Sequence, residues 1–277
     1  MKILILDRDR NAMQFLQNCL EEDGHSVVVE SIRKDALERV AQEEFDVIAI
    51  DPAPLPSARQ ITLPLRWERH DYYSYMLLLG HNSEDQEVIH SGMNDKILKP
   101  FDPADIRRKL DHAKRLTEFM KRLGAGQQVA SDRQIFGQRA FYQLVLSALD
   151  RAARYNEQAF LLVMRLDNFA VLEKEMGPEK ANDVQQALGD YLSSLHRMSD
   201  FLGHSDKTEY VLLILRPSAD TEPHDAAERF TVALREFQAR YESGTRPEFT
   251  LELWMLPSAI LAAQAKLGNN KKTEDFS

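Results

Sequence analysis

Four short apolar runs each stop at a residue that could do chemistry. Ile3-Leu4-Ile5-Leu6 is followed by Asp7, Val47 to Ile50 by Asp51, Met76 to Leu79 by Gly80, and Ile97-Leu98 by Lys99. If these runs are neighbouring parallel strands, two carboxylates, a bare glycine and an ammonium converge on one sheet edge, the carboxyl-end edge where such sheets collect ligands. An acid and a lysine placed there form at the least a partly buried ion pair. A second pairing lies further on, in Arg197-Met198-Ser199-Asp200. Spacing of i,i+3 at the end of a helix sets both groups on one face, and as a bare surface ion pair they would contribute only about 0.2–0.5 kcal/mol. Other chemistry finds little support. His204 beside Ser205 has no discernible nucleophile, base and acid order around it, and the eight histidines lack metal-ligand spacing. Trp67 with Tyr72, Tyr73 and Tyr75 is expected to cover a core edge.

The elements that must position these groups can be read from periodicity. Runs at 3–6, 26–29, 47–50, 76–79 and 97–98 lack polar alternation, as strands covered on both faces do, and the segments 11–22, 33–41, 84–90 and 103–123 carry apolar residues near a 3.6 period. This predicts a doubly wound α/β domain with a five-stranded parallel sheet over residues 1–123. Its last helix keeps Ile106, Leu110, Ala113, Leu116, Phe119 and Met120 on one face, longer than the sheet needs, so it is expected to emerge as a signalling helix and dimer stalk. Gly124-Ala125-Gly126 then opens a linker over 124–132. In the second half, 136–155, 178–196 and 221–241 read as helices, 159–164, 210–215 and 249–255 as strands, and 271–277 as a disordered tail. The order predicts an α+β domain with an antiparallel sheet over 133–270.

A chain of 277 residues suits two domains of about 100–200 residues each. The formal charge of −9 argues against nonspecific binding to nucleic acid or anionic lipid. Cys19 is the single cysteine, so no internal disulfide or cysteine metal cluster can form. No apolar run nears the ~20 residues of a membrane span, and Met1 to Asp7 reads as a buried strand rather than a leader, so a cytoplasmic protein is expected.

Ile-Leu-Ile-Leu-Asp at 3–7, Phe-Asp-Val-Ile-Ala-Ile-Asp at 45–51 and Leu-Lys-Pro-Phe-Asp at 98–102 make the first half resemble the receiver domains of two-component response regulators. The resemblance implies that Asp51 is the phosphoacceptor, Lys99 its counter-charge, and Asp7 the surviving member of a Mg²⁺-holding acidic pair. Arg8 stands where the second acid belongs, Gly80 where a phosphate-sensing hydroxyl belongs, and Lys96 where a switch aromatic belongs. A fixed cation opposes Mg²⁺, so Arg8 is expected to reach across to Asp7 and Asp51 in its place. Pro52, Pro54 and Pro56 stiffen the loop after Asp51 and remove backbone donors from it.

Leu161 to Phe169 and Tyr210 to Pro217 flank Asp206-Lys207-Thr208-Glu209-Tyr210, and over this stretch the chain resembles the GGDEF family of diguanylate cyclases. The five residues stand in register with Gly-Gly-Asp-Glu-Phe, so side chains fill both glycine positions. The resemblance implies two metal-holding acids. Arg165 takes the place of one, and the signature loop keeps only Glu209 against Thr208. Glu173 and Asn182 stand where the family reads guanine with Asn and Asp, and Ala265-Lys266-Leu267-Gly268-Asn269 is similar to the closing segment, after a truncated helix. What survives is the Arg-x-x-Asp five residues before the signature, which in the family binds cyclic di-GMP. Arg197 would donate to guanine N7 and O6, Asp200 would accept from the opposite N–H edge, and Arg229 falls where a second arginine is often supplied.

The expectation is a non-enzymatic bacterial signalling protein with no catalytic residues, no metal and no required cofactor. Its degenerate GGDEF domain binds cyclic di-GMP, docks an unidentified signalling partner, or both, as a homodimer. A nucleotide-independent dimeric scaffold is the alternative, and a phosphorylation-controlled cyclase a third.

Overall fold

The computed structural model describes residues 1–52, 55, 58–68, 72–80, 84–126, 135–197, 199–241 and 245–268, with the side chains of 63 and 66–68 left out. The chain divides into two compact units, the first built mainly on Met1–Gly124 and the second mainly on Gln158–Leu256.

In the first unit the order is β1 (Lys2–Leu6), α1 (Arg10–Glu22), β2 (Ser26–Glu30), α2 (Arg33–Gln42), β3 (Val47–Ile50), α3 (Arg59–Glu68), β4 (Tyr75–Gly80), α4 (Asp85–His90), β5 (Asp95–Leu98) and α5 (Pro103–Ala125). The five strands form a parallel sheet in the order β2-β1-β3-β4-β5. β3 is buried throughout and β1 and β4 nearly so, which is why all three read as unbroken apolar runs. Registers of Leu6 with Ile50 and of Gly80 with Leu98 bring the carboxyl ends level, so Asp7, Asp51, Gly80 and Lys99 share one edge. α1 starts where the Asp9 carboxylate accepts from the N–H groups of Asn11 and Ala12, and it buries Met13, Leu16 and Leu20 as one stripe.

Two elements differ from the sequence expectation. α3 lies where no helix was expected, and Pro64 within it argues against one locally. Burial overrides propensity here, since Ala58, Ile61 and Leu65 pack into the cluster that holds Ile48, Ile50 and Met76. Pro54 and Pro56 lie outside the described residues, as does the side chain of Trp67, while Tyr73 and Tyr75 are buried. α5 continues through Gly124 to Ala125, two residues past its expected end, and residues 127–132 of the expected linker lie outside the described residues.

The second unit runs α6 (Gln138–Tyr155), β6 (Ala159–Leu166), α7 (Phe169–Met176), α8 (Pro178–Ser193), β7 (Phe201–Asp206), β8 (Glu209–Leu215), α9 (Glu222–Ala239), β9 (Phe249–Leu256) and β10 (Ile260–Leu267). Its sheet is antiparallel in the order β10-β9-β6-β8-β7. Leu162, Met164, Leu212 and Leu253 from the sheet meet Leu188, Phe230 and Phe237 from the helices in one core. Gly177, at φ +87°, turns the chain between α7 and α8 through backbone that a side chain would strain.

α8 stops at Ser193 rather than 196. The hydroxyls of Ser193 and Ser194 fold back onto the carbonyls of Asp190 and Tyr191, satisfying groups that a further turn would have used. Arg197 and Asp200 therefore stand in the connection to β7, not on a helix face. β10 is the second correction, since 260–267 forms a strand and a truncated helix was expected before Ala265. Ala263, Ala265 and Leu267 are buried in alternation while the chain pairs with β9, and a two-residue period outweighs the helical preference of alanine. Asn269 and the expected tail 271–277 lie outside the described residues. Among the described residues no helix is long and apolar enough to cross a membrane.

Candidate functional site

At the edge of the parallel sheet Lys99 dominates. Its ammonium lies 2.6 Å from Asp51 Oδ2 and 2.7 Å from Asp7 Oδ2. Asp7 is only 2 % exposed, and its other oxygen accepts the Asp9 N–H at 2.9 Å. The Lys99 N–H is held by the Gly80 carbonyl at 2.8 Å, and Gly80 has nothing within 4 Å of where a Cβ would stand. The lysine stem thus crosses the end of β4 unobstructed and reaches β3 and β1. Burial alone would lower the Lys99 pKa, but hydrogen bonds and charge from Asp51 and Asp7 outweigh it and raise the value.

The expectation that Arg8 bridges the two acids is overturned. Arg8 is exposed, and among the described residues it forms no ion pair. It lines a cleft of about 350 Å³ together with Arg33, Lys34 and Pro52. Lys99 already holds both carboxylates at contact distance, leaving the guanidinium to solvent. Arg8→Ala should accordingly change stability by less than about 0.5 kcal/mol in urea denaturation. A larger loss would place Arg8 in the charge network after all. Lys96, at the expected position of the switch aromatic, pairs with Asp85 at 2.8 Å.

The antiparallel unit carries a second constellation at the β7–β8 hairpin. Arg165 near the end of β6 faces Glu209 at the start of β8 in the strand register, and their side chains meet in a forked pair, Nε to Oε2 at 2.9 Å and Nη2 to Oε2 at 2.8 Å. The Glu209 side chain is 4 % exposed and also accepts a hydrogen bond from the Ser205 hydroxyl. Between the strands, Lys207 and Thr208 form the turn. The Lys207 ammonium sits 4.5 Å from the centre of the Phe169 ring, the Lys207 carbonyl accepts from Gln185 at 2.8 Å, and the Thr208 carbonyl accepts from the Leu166 N–H at 2.8 Å. The loop is held by its two carbonyls and by the Lys207 side chain. Glu173 on α7 and Asn182 on α8 are both half-buried.

A third group surrounds the α8–β7 connection. Arg197 to Asp200 is a turn closed by the Asp200 N–H donating to the Arg197 carbonyl at 3.0 Å. The two side chains do not pair with each other. Arg197 Nη1 donates instead to Glu222 Oε1 at 2.7 Å, at the first residue of α9. Asp200 is 8 % exposed, and among the described residues its one side-chain hydrogen bond is from the Ser199 hydroxyl at 3.3 Å. Arg229 lies seven residues after Glu222, two turns along the same face of α9. Its Nε and Nη2 are buried without a hydrogen-bond partner among the described residues. Glu222 escapes sequence reasoning because 25 residues separate it from Arg197. The available signal was an acid at the first position of a helix, where carboxylates are favoured.

Two family models match the chain, the response regulator receiver domain over residues 3–111 and the diguanylate cyclase GGDEF domain over residues 133–254. The chain carries a receiver domain followed by a GGDEF domain. The parallel sheet is that of the receiver and the antiparallel sheet that of the GGDEF domain, the architecture of a bacterial two-component signalling protein. Among curated proteins it is 26 % identical over 121 residues to the alkaline phosphatase synthesis transcriptional regulatory protein PhoP of Bacillus subtilis, covering 43 % of this chain and 50 % of PhoP. It is 26 % identical over 107 residues to the regulatory protein VanR of Enterococcus faecium, covering 38 % and 46 % respectively. The chain thus spans about half the length of the curated relatives it matches. Solved structures similar to it include a two-component response regulator from Clostridium difficile (22 % identity, 42 % of this chain and 96 % of that one, TM-score 0.36). Another is the chemotaxis protein CheY4 of Vibrio cholerae (20 % identity, 40 % and 97 %, TM-score 0.35).

In the GGDEF domain a guanidinium occupies the carboxylate that would have to coordinate the metal its family uses, and Arg165 itself stands where the second acid is expected. A hard divalent cation takes oxygen ligands, so the residues present there do not fit it.

Proposed function

We propose that this two-component protein is a non-enzymatic effector whose GGDEF domain binds cyclic di-GMP at the turn holding Arg197 and Asp200, with Arg229 as a third contact. The observation that carries the reading is a pair of underused buried groups, one at this turn and one on α9. Among the described residues Asp200 is a buried carboxylate with no cation, and Arg229 has two buried donor atoms with no hydrogen-bond acceptor. Each omission is costly in isolation, and a ligand with both a donor edge and acceptor atoms answers both. Guanine presents N–H donors on one edge and N7 and O6 on another, while the phosphodiesters supply anionic oxygens.

Loss of cyclase chemistry is supported by the Arg165–Glu209 pair, which consumes the remaining signature acid, and by the loop that Lys207 closes over Phe169. In the receiver domain Arg8 in place of a metal acid, with Gly80 and Lys96 at the hydroxyl and aromatic positions, supports a pseudo-receiver, held in one state without phosphorylation. Phosphoryl transfer depends on metal and charge neutralisation at that edge.

Calorimetry with cyclic di-GMP tests the binding claim. The wild-type chain should show saturable binding in the micromolar range, and Arg197→Ala should weaken it by about 10- to 100-fold through loss of charge-assisted hydrogen bonds. Absence of saturable binding at these concentrations by the wild type and by Glu222→Gln alike, the latter lacking the carboxylate that now holds Arg197, sinks it.

A further inference from the structure

Arg197 already has an internal acceptor in the Glu222 carboxylate. It takes Arg197 Nη1 at 2.7 Å, and its other oxygen accepts the Ser218 N–H at 2.5 Å and the Ser218 hydroxyl at 2.8 Å. Those Ser218 contacts hold its pKa below the usual carboxylate value, and the charges of Arg197 and Arg229 lower it further, so the group is ionised at neutral pH. Arg197 is thus held by an internal anion, while Arg229 makes no hydrogen bond or ion pair with it among the described residues. Asp200, the partner that the Arg-x-x-Asp spacing offers to Arg197, has the Ser199 hydroxyl beside it instead.

We infer that Glu222 is an internal competitor for the cyclic di-GMP site, a latch that holds Arg197 off the ligand and must release it before the nucleotide binds. The inference rests on the ligand assignment above and adds its regulation. A half-exposed charge pair is screened by water, which keeps the latch weak enough for a ligand to open.

Calorimetry of the full chain with cyclic di-GMP is compared for wild type, Glu222→Gln and Glu222→Asp, with circular dichroism and thermal melts confirming that each variant is folded. Glu222→Gln removes the charge and keeps the shape. Glu222→Asp keeps the charge on a stem one methylene shorter, which withdraws it from Arg197. Both should bind about three- to ten-fold tighter than wild type, and Arg197→Ala combined with Glu222→Gln should erase the gain. If wild type binds and both variants bind equally or more weakly, the latch is wrong while the ligand assignment stands. Binding by the variants but not by wild type supports a latch that is closed at rest. If neither wild type nor variants bind, both the assignment and the latch fall.

Discussion

Arg165→Met should lower the thermal midpoint of the GGDEF domain by about 5–10 °C, the largest effect expected from a single change in that domain. The substitution removes the guanidinium from the Glu209 carboxylate, which is 4 % exposed and keeps the Ser205 hydroxyl. Breaking one side of a fully buried ion pair costs about 3–5 kcal/mol. Arg165 is 41 % exposed, so water recovers part of that and about 2–3 kcal/mol is the better expectation. At about 2–4 °C per kcal/mol for a domain of this size, the stated shift follows. Arg165→Met with Glu209→Gln removes both charges and should recover at least half of the loss, measured as a double-mutant cycle by calorimetry. A single-variant shift below about 1 °C would mean that the pair is a screened surface contact. Neither variant should synthesise cyclic di-GMP, because freeing one acid does not rebuild a two-metal site.

Replacing Lys99 with Met should destabilise the receiver domain by about 2–4 kcal/mol, since one ammonium neutralises two carboxylates, one of them almost wholly buried. The pH dependence follows from the raised Lys99 pKa. A group whose folded pKa lies above its unfolded value contributes fully below the unfolded value, about 10.4 for lysine, and loses its contribution as pH rises through the folded one. Urea denaturation should thus show the same gap between wild type and Lys99→Met at pH 6.5 and 8.5, closing only above about pH 10.4. A gap already closing near neutrality would show that another group supplies the stabilisation. Arg8→Ala, next to Asp7 in the chain but without an ion pair among the described residues, is the contrast.

Much of this protein is legible along the chain. The parallel sheet announces itself because strands buried on both faces must be continuously apolar, and the residues ending Ile3–Leu6, Val47–Ile50 and Ile97-Leu98 are then forced to one edge by strand geometry alone. Arg165 and Glu209 are visible as a cation and an acid at family positions. What the sequence could not say is that the two neutralise each other, because 44 residues separate them and only the β6–β8 register sets them face to face.

The edges and ends of elements were settled elsewhere. Local spacing makes Arg197 and Asp200 look like an i,i+3 pair on a helix, yet the serine hydroxyls at 193 and 194 end α8 first and Glu222 captures the arginine. Arg8 looks like the natural bridge between Asp7 and Asp51, yet the open end of β4 at Gly80 lets the Lys99 stem arrive instead. Composition and period determined which residues are buried and which carry charge, since those follow from solvation along each segment. Which charge pairs with which was decided only in three dimensions, because a long side chain takes the nearest partner that folding supplies, wherever that partner lies in the sequence.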